Sequence, residues 1–287
     1  MLEAGLVIAW SSGFIGALLA ADAPSVFLVL FWRFVIVAVA LSPFILHAVH
    51  AGPGSRELAT QAALGALAMF GYLSLGVKAI DLGVPAGAAA LISALQPLVT
   101  AALAGPVLGE LVGRKQWWGL SLGFLGVLLA VGGAPGDAPW WTYGLSLAGM
   151  LALVAATLLA KARGETVPLL PALGIQSFAA AVLFAPLAAW EVGLAPAADL
   201  SFIAALMWFI LFSTIGGYGL YWLCLRRSTA TRVGSLIYLT PLVTMLWAWL
   251  MFGEPISTAA LVGFALCLLG VGLAREVTPL SRSENPN

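Results

Sequence analysis

Long apolar runs, set apart by brief polar joints, constrain this chain more than anything else in it. Ten can be marked, over residues 3–20, 25–47, 58–79, 84–106, 114–132, 140–162, 169–190, 200–225, 231–252 and 256–274. Each approaches the roughly 20 residues that an α-helix needs to cross the ~30 Å hydrocarbon layer of a bilayer. Helices are required, because a bilayer has no water for unpaired backbone groups and the alternative, a closed barrel, needs alternating strands. Nothing here alternates with a period of two. The scarcity of charge agrees: 8% of 287 residues are charged, against roughly 25% in an ordinary soluble domain. A soluble enzyme is excluded. Twelve basic residues balance twelve acidic ones, which leaves no basic footprint for nucleic acid. The expectation is an all-α integral membrane protein with ten transmembrane helices. Glu3 is the only charged side chain at the head of the first run, where a signal peptide would be basic, so that run reads as a retained span.

Ten spans put both ends of the chain on one side of the membrane. Arg56, Arg114, Lys115, Lys161, Arg163, Arg226, Arg227, Arg232, Arg275 and Arg282 share that side; Lys78 is alone opposite, and Arg33 lies within the second span. Cytoplasmic loops carry the excess of Lys and Arg, so both termini are expected in the cytoplasm. Asp22, Asp81, Asp137, Glu191, Asp199 and Glu254 fall on the far side. An error of one span would scramble this segregation. Cys224 and Cys267 sit inside apolar runs and form neither a disulfide framework nor a CxxC site.

A shift of 144 residues lays Leu95–Ala130 over Leu239–Ala274 without a gap. Pro97 meets Pro241, Thr100 meets Thr244, Glu110 meets Glu254, and Gly119 and Gly126 meet Gly263 and Gly270. Leu, Ala and Val match by chance in membrane helices, but PLVT and GE do not readily align at one offset. Each half holds five spans, an odd number, so the halves insert with opposite orientation. Inverted repeats are a transporter arrangement, with solute bound near the midplane between them. Two inverted five-helix repeats are therefore expected, over 1–133 and 140–275, with a disordered cytoplasmic tail over 276–287.

The repeated segments read QPLVTAALAGPVLGE…GLSLGFLGVLLA and TPLVTMLWAWLMFGE…GFALCLLGVGLA. An apolar helix with a central proline, a closing Gly-Glu and a glycine-rich helix resembles the EamA repeat. Trp10–Gly13 (WSSG), Arg33-Phe34 and Leu225–Arg227 (LRR) extend the resemblance over nearly the whole chain. It implies a ten-helix member of the drug/metabolite transporter superfamily, most similar to the bacterial aromatic amino-acid exporters. Members of that branch place aromatic residues just before the fourth-span proline. This chain has Ala94 and Gln96 there, which departs from strict aromatic specificity.

Pro97 and Pro241 fall near the middle of the fourth and ninth spans. Each removes an amide and clashes with the carbonyl four residues earlier, on Ser93 and Ile237. Recurrence in both halves marks them as gating candidates, together with Gly217 in the loosened Gly216–Gly219 stretch. Ser93, Gln96 and Thr100 line one stripe of the fourth span, and Thr240 and Thr244 the equivalent stripe of the ninth. Trp10, Ser11 and Ser12 reach a similar depth from the first span, as do Ser213, Tyr218, Tyr221 and Trp222 from the eighth. Tyr72 adds an aromatic wall from the third. Singly, such groups are interhelical glue worth about 0.6 kcal/mol each; as a converging set they are the candidate substrate-binding residues. Gly119, Gly123 and Gly126 suit close backbone packing. Arg33 is expected to snorkel or anchor its helix, and Glu110 and Glu254 to bond helix-end amides.

No Asp, Glu or His occupies the central third of any span. Proton antiporters usually need such a group, so facilitated movement of a neutral or zwitterionic solute is favoured. The expected function is export of amino acids, hydrophobic and aromatic ones favoured over a broad range, by alternating access across a bacterial inner membrane. The alternative is a drug or other small-metabolite permease of the same fold, proton coupling included. An intramembrane hydrolase would need Ser with His, or paired Asp, at membrane depth. The two histidines, His47 and His50, fall at the joint after the second span and are spaced too closely for a metal site. No enzyme activity, metal or cofactor is expected. A purely structural scaffold would leave the inverted repeat unexplained. The expected partners are a small-molecule substrate and the lipid bilayer, with no nucleic acid, and the chain is expected as a monomer.

Overall fold

The computed structural model describes residues 1–19, 23–50, 52, 54–84, 89, 92–131, 138–164, 167–197, 199–252 and 258–274. Among them there is no β-strand, only helices and the turns that join them. In chain order these are α1 (Leu2–Leu19), α2 (Val26–Ala40), α3 (Ser42–His50), α4 (Ser55–Leu64), a π-helical segment Gly65–Gly71, α5 (Tyr72–Asp81), α6 (Gln96–Leu108) and α7 (Arg114–Val131). Then follow α8 (Trp140–Arg163), α9 (Leu169–Glu191), α10 (Leu200–Trp208), a second π-helical segment Phe209–Tyr218, and α11 (Gly219–Arg227). The chain continues through α12 (Ala230–Leu236), one 3₁₀ turn Ile237–Leu239, α13 (Thr240–Phe252) and α14 (Thr258–Ala274). Among the described residues five helical stretches are long and apolar enough to cross a membrane: Ser55–Ile80, Trp140–Arg163, Leu169–Glu191, Leu200–Arg227 and Ala230–Met251. The pair α2 and α3 makes a sixth if counted as one span, and Gln96–Leu108 and Leu261–Ala274 are shorter apolar helices. Asp22, Asp137, Glu254, Arg275, Arg282 and the tail 276–287 lie outside the described residues.

Where helices start, stop and bend follows from local chemistry. Ser25 caps α2, its hydroxyl accepting from Phe27 N at 3.1 Å and Leu28 N at 3.4 Å, a contact worth about 1 kcal/mol. The same hydroxyl donates to Glu191 Oε2 at 2.6 Å, which ties α2 to the end of α9. The run expected as one straight span over 25–47 is instead bent by 53° between α2 and α3. Pro43, the second residue of α3, has no amide for the carbonyl of Val39 and crowds it. Gly109 closes α6 with φ of 70°, the left-handed conformation that a Cβ disfavours.

The glycine-rich helices α7 and α14 cross so closely that side chains have no room. A Cβ on Gly119 would stand 2.5 Å from Gly270 O and 2.7 Å from Ala274 N, and one on Gly126 would stand 2.7 Å from Gly263 O. Residue number rises along α7 as it falls along α14, so the helices are antiparallel. The contacts are also exchanged: Gly119 meets the counterpart of Gly126, and Gly126 meets the counterpart of Gly119. That is the isologous pattern of a two-fold axis. At its centre Cys267 Sγ donates to Gly123 O at 3.4 Å, and these two positions are themselves 144 apart. Elsewhere α2 and α9 run antiparallel, with Phe27 and Phe34 on Phe184 and Leu41 on Gly174. α1 packs on the second π segment and on α13, while α8 packs on the first π segment, α5 and α6. Even the π segments obey the offset, since Gly65 and Phe209 begin them.

Apolar side chains also cover the outside. Leu200 and Leu250 are largely exposed, as a lipid-facing surface requires. Trp140 and Trp190 stand exposed at helix ends, where amphipathic rings meet the headgroups.

Candidate functional site

Each proline stands at the second residue of an α-helical segment, just after a tightened turn, rather than inside regular α-helix. Pro97 is the second residue of α6 and Pro241 the second of α13, positions where a missing amide is harmless. Before Pro97 the chain tightens, with Leu95 N bonded to Ile92 O at 3.0 Å. Before Pro241 lies the 3₁₀ turn, and the carbonyl of Ile237 that Pro241 frees is taken by Thr240 Oγ1 at 2.7 Å. The tightened turns, at residues 94–95 and 237–239, fall at equivalent points of the two repeats. The backbone there is already served by local bonds.

Beside Gln96 an aromatic cluster is packed. Trp10 meets Tyr218 edge-on at 5.2 Å and lies tilted on Tyr221 at 4.9 Å; Tyr221 meets Trp222 edge-on at 5.2 Å. Offset and edge-on pairs of this kind contribute about 0.5–1.5 kcal/mol each beyond their burial. Tyr218 lies in the second π segment and its hydroxyl donates to Ala68 O in the first, at 2.6 Å, so the widened segments are bonded to one another. Gln96 Nε2 donates to the Tyr221 hydroxyl at 3.4 Å. Tyr221 is bonded in turn to Thr157 Oγ1, which donates to Leu153 O at 2.8 Å. Because Thr157 has one proton and spends it on Leu153, Tyr221 donates to Thr157. The chain Gln96, Tyr221, Thr157 joins α6, α11 and α8 in one direction. Tyr72 bonds Ser93, linking α5 to the residues just before α6.

Other expected residues are present but occupied. Ser11 donates to Val7 O and Ser12 to Ala9 O, both at 2.6 Å. Thr244 donates to Thr240 O at 2.9 Å and reaches Ser11 O at 3.4 Å. These hydroxyls have their protons committed to helix carbonyls and retain only acceptor capacity. Thr100 is fully buried, and its hydroxyl has no hydrogen-bond partner among the described residues. Gly217 sits within the second π segment against Ala9 O of α1.

Two residues add to the sequence expectation. Of the two roles expected for Arg33, snorkelling and anchoring its helix, the structure has the second: it is 1% exposed. Its Nε donates to Thr214 Oγ1 at 2.7 Å and its Nη2 to Ser213 Oγ at 3.0 Å. The guanidinium lies 4.8 Å from the Phe34 ring centre, 4.9 Å from Phe209 and 6.0 Å from Tyr218, so aromatic faces supply the electrostatic compensation. Ser213 is thereby an acceptor for Arg33. Thr157 is the residue the sequence reading passed over, although it is the lone polar side chain in the apolar stretch 151–160. Charges at the ends are structural. Lys161 donates to Leu225 O at 3.0 Å and Ser228 O at 2.6 Å, satisfying the end of α11, while Glu110 accepts from Ala230 N at 3.1 Å at the start of α12.

The chain is a multi-pass, all-helical membrane protein in which one structural unit is used twice. It belongs to the EamA-like transporter family, whose model matches residues 2–132 and 140–275, and carries two EamA repeats. It is similar to the "Probable terminal-alkyne amino-acid exporter" of Streptantibioticus cattleyicolor, at 29% identity over 97% of this chain and 93% of that one. It is also similar to the "Probable amino-acid metabolite efflux pump" of Salmonella typhimurium, at 27% identity over 70% of this chain and 71% of that one. A solved crystal structure superposes with a TM-score of 0.78, covering 96% of both chains at 20% identity; that likeness concerns the fold.

Proposed function

We propose that this protein exports amino acids across a bacterial inner membrane by alternating access, hydrophobic and aromatic side chains being favoured. In this reading ten helices span the bilayer as two inverted five-helix repeats, over 1–133 and 140–275, with both termini cytoplasmic and 276–287 as a tail. The observation that carries it is the antiparallel exchange of equivalent glycines between α7 and α14. Halves so related can trade conformations, which yields states open to either side. The names of two relatives suggest the solute class. Trp10, Tyr218, Tyr221 and Trp222 offer aromatic surface for its side chain, and Gln96 and Thr100 offer amide and hydroxyl groups for its zwitterionic end. Pro97 and Pro241 act as hinges between helical pieces, with Gly217 beside them. With no carboxylate or histidine in the central third of any span, transport is facilitative.

Counterflow of radiolabelled L-phenylalanine and the other amino acids into proteoliposomes tests the reading. Flux is expected without a pH gradient and is unchanged by one. Gln96→Ala and Tyr221→Phe each break the chain to Thr157, and each is expected to lower flux while membrane insertion persists. Absence of any amino-acid flux ends the proposal. Acceleration by the gradient ends its facilitative part.

A further inference from the structure

The first repeat holds the start of α12, in the second, at two points. Glu110 accepts from Ala230 N at 3.1 Å and from Thr231 Oγ1 at 3.5 Å. Glu3, in the first turn of α1, takes Arg232: Nε donates at 2.9 Å and Nη2 at 2.7 Å, both to Oε1. Two charge-assisted bonds from one guanidinium fix orientation as well as distance. The Arg232 and Glu3 side chains are 36% and 28% exposed, so water and salt reach the pair.

Only one of these contacts can be rebuilt on the opposite face. Glu110 recurs 144 residues later as Glu254, so each repeat carries that carboxylate. Arg232 has Ala88 at the equivalent place. The helix that opens the second repeat, α8, has no acidic residue in its first turn, where α1 has Glu3. Neither partner of the ion pair therefore recurs. Two identical inverted repeats would give access states that mirror one another and have equal energy. An ion pair available to one face alone removes that equality.

We propose that Glu3 and Arg232 form an ionic latch between the repeats, which biases the protein toward the state closed on the side of the chain ends. The proposal rests on the alternating access proposed above, on which that side is cytoplasmic. Opening it parts α1 from α12 and breaks the pair, with no replacement on the far face. α12 runs directly into the 3₁₀ turn before Pro241, so the latch acts on the segment that leads to the hinge. A part-exposed pair shifts the ratio of closed to open states about twofold to fivefold, and salt weakens it.

Cys224 reports on this side. It lies on α11 one turn beyond Leu220, which meets α1 at Gly5. It is buried and within reach of the charges of Glu3 and Arg232. In full-length protein in lipid nanodiscs, the rate of its modification by uncharged iodoacetamide is read by mass spectrometry of its peptide. Glu3→Gln and Arg232→Gln change the local charge in opposite senses, so a purely electrostatic effect on the thiol moves their two rates apart. Release of a latch raises both, roughly twofold to fivefold. The exchanged pair, Glu3→Arg with Arg232→Glu, is expected to return the rate to that of the unsubstituted chain. Raising the ionic strength should speed modification in the unsubstituted chain and leave both single variants unchanged. Rates that move apart or do not move, or an exchanged pair as fast as the single variants, overturn the latch. If one single variant fails to insert, an unsubstituted rate indifferent to salt overturns it, and a rise that the other variant lacks supports it. Amino-acid counterflow is measured alongside. Flux with Cys224 rates indifferent to Glu3 and Arg232 ends the latch and leaves export standing; absence of flux ends the export reading, while the Cys224 rates still decide the latch.

Discussion

Gly270 and Gly272 are two residues apart on α14, and the same substitution at each should move stability in opposite directions. A Cβ on Gly270 would stand 2.6 Å from Gly119 O and 2.6 Å from Gly123 N; one on Gly272 would meet nothing within 4 Å. The contacts at Gly270 are backbone atoms, which cannot rotate away, so α7 and α14 must part by about 1 Å to restore ordinary van der Waals contact. Overpacking a tight interior site costs about 1–3 kcal/mol, and a rigid backbone neighbour places Gly270→Ala in the upper half of that range. Replacing a helical glycine by alanine returns about 0.5–1 kcal/mol. The net for Gly270→Ala is a loss of about 1–2.5 kcal/mol, while Gly272→Ala keeps only the gain. At roughly 2–4 °C per kcal/mol for a chain of this size, Tm should fall by about 2–10 °C in the first and rise by about 1–4 °C in the second. Intrinsic fluorescence of the eleven tryptophans during heating in detergent micelles reads both. If Gly270→Ala unfolds at or above the wild-type temperature, the α7–α14 crossing is not the close backbone contact described here.

Two further outcomes follow from single side chains. Arg33→Gln removes both hydrogen bonds to the second π segment and the three ring contacts, so a fall in Tm of several degrees is expected; Arg33→Lys should not restore it, because an ammonium lacks the planar fork. A lysine variant that melts with the wild type would refute that account. At the start of α10, the carboxylate of Asp199 is held below its ordinary range by the amide of Phe202 and the hydroxyl of Ser201. A depressed carboxylate stabilises above its unfolded pKa and loses that contribution as pH falls through the folded one, so protection of the α10 amides in hydrogen exchange should fall at acid pH. Asp199→Asn, which still caps, should remove that pH dependence.

Much of the architecture is written in local chemistry. Apolar runs of about 20 residues dictate membrane helices, and the 144-residue offset, with PLVT and GE in both copies, identifies the repeat. The glycines at 119, 123 and 126 announce a close crossing because no other residue permits one. Less of the candidate site is legible this way. The hydroxyls of Ser11, Ser12, Thr240 and Thr244 look alike in sequence, yet their protons go to carbonyls three or four residues earlier in the chain, a choice made by rotamer and not by residue type. Pro97 and Pro241 read as interrupting regular α-helix, but the turns that tighten just before them, at 94–95 and 237–239, have no sequence signature. Neither π segment has a sequence signature, and Thr157 looks ordinary until Tyr221 arrives from 64 residues away.

Arg33 marks the division most sharply. Sequence alone determined that the chain is helical, membrane-embedded and duplicated, because hydrophobic transfer and backbone satisfaction act residue by residue. A lone arginine in an apolar span has two solutions, reaching out to the headgroups or finding partners inside. Only tertiary structure decided for the second, by bringing Ser213, Thr214 and the rings of Phe209 and Tyr218 from the second π segment to its guanidinium, beside Phe34 of its own helix. Burying a charge is a balance between lost hydration and assembled partners, and those partners exist only once the two repeats have closed on one another.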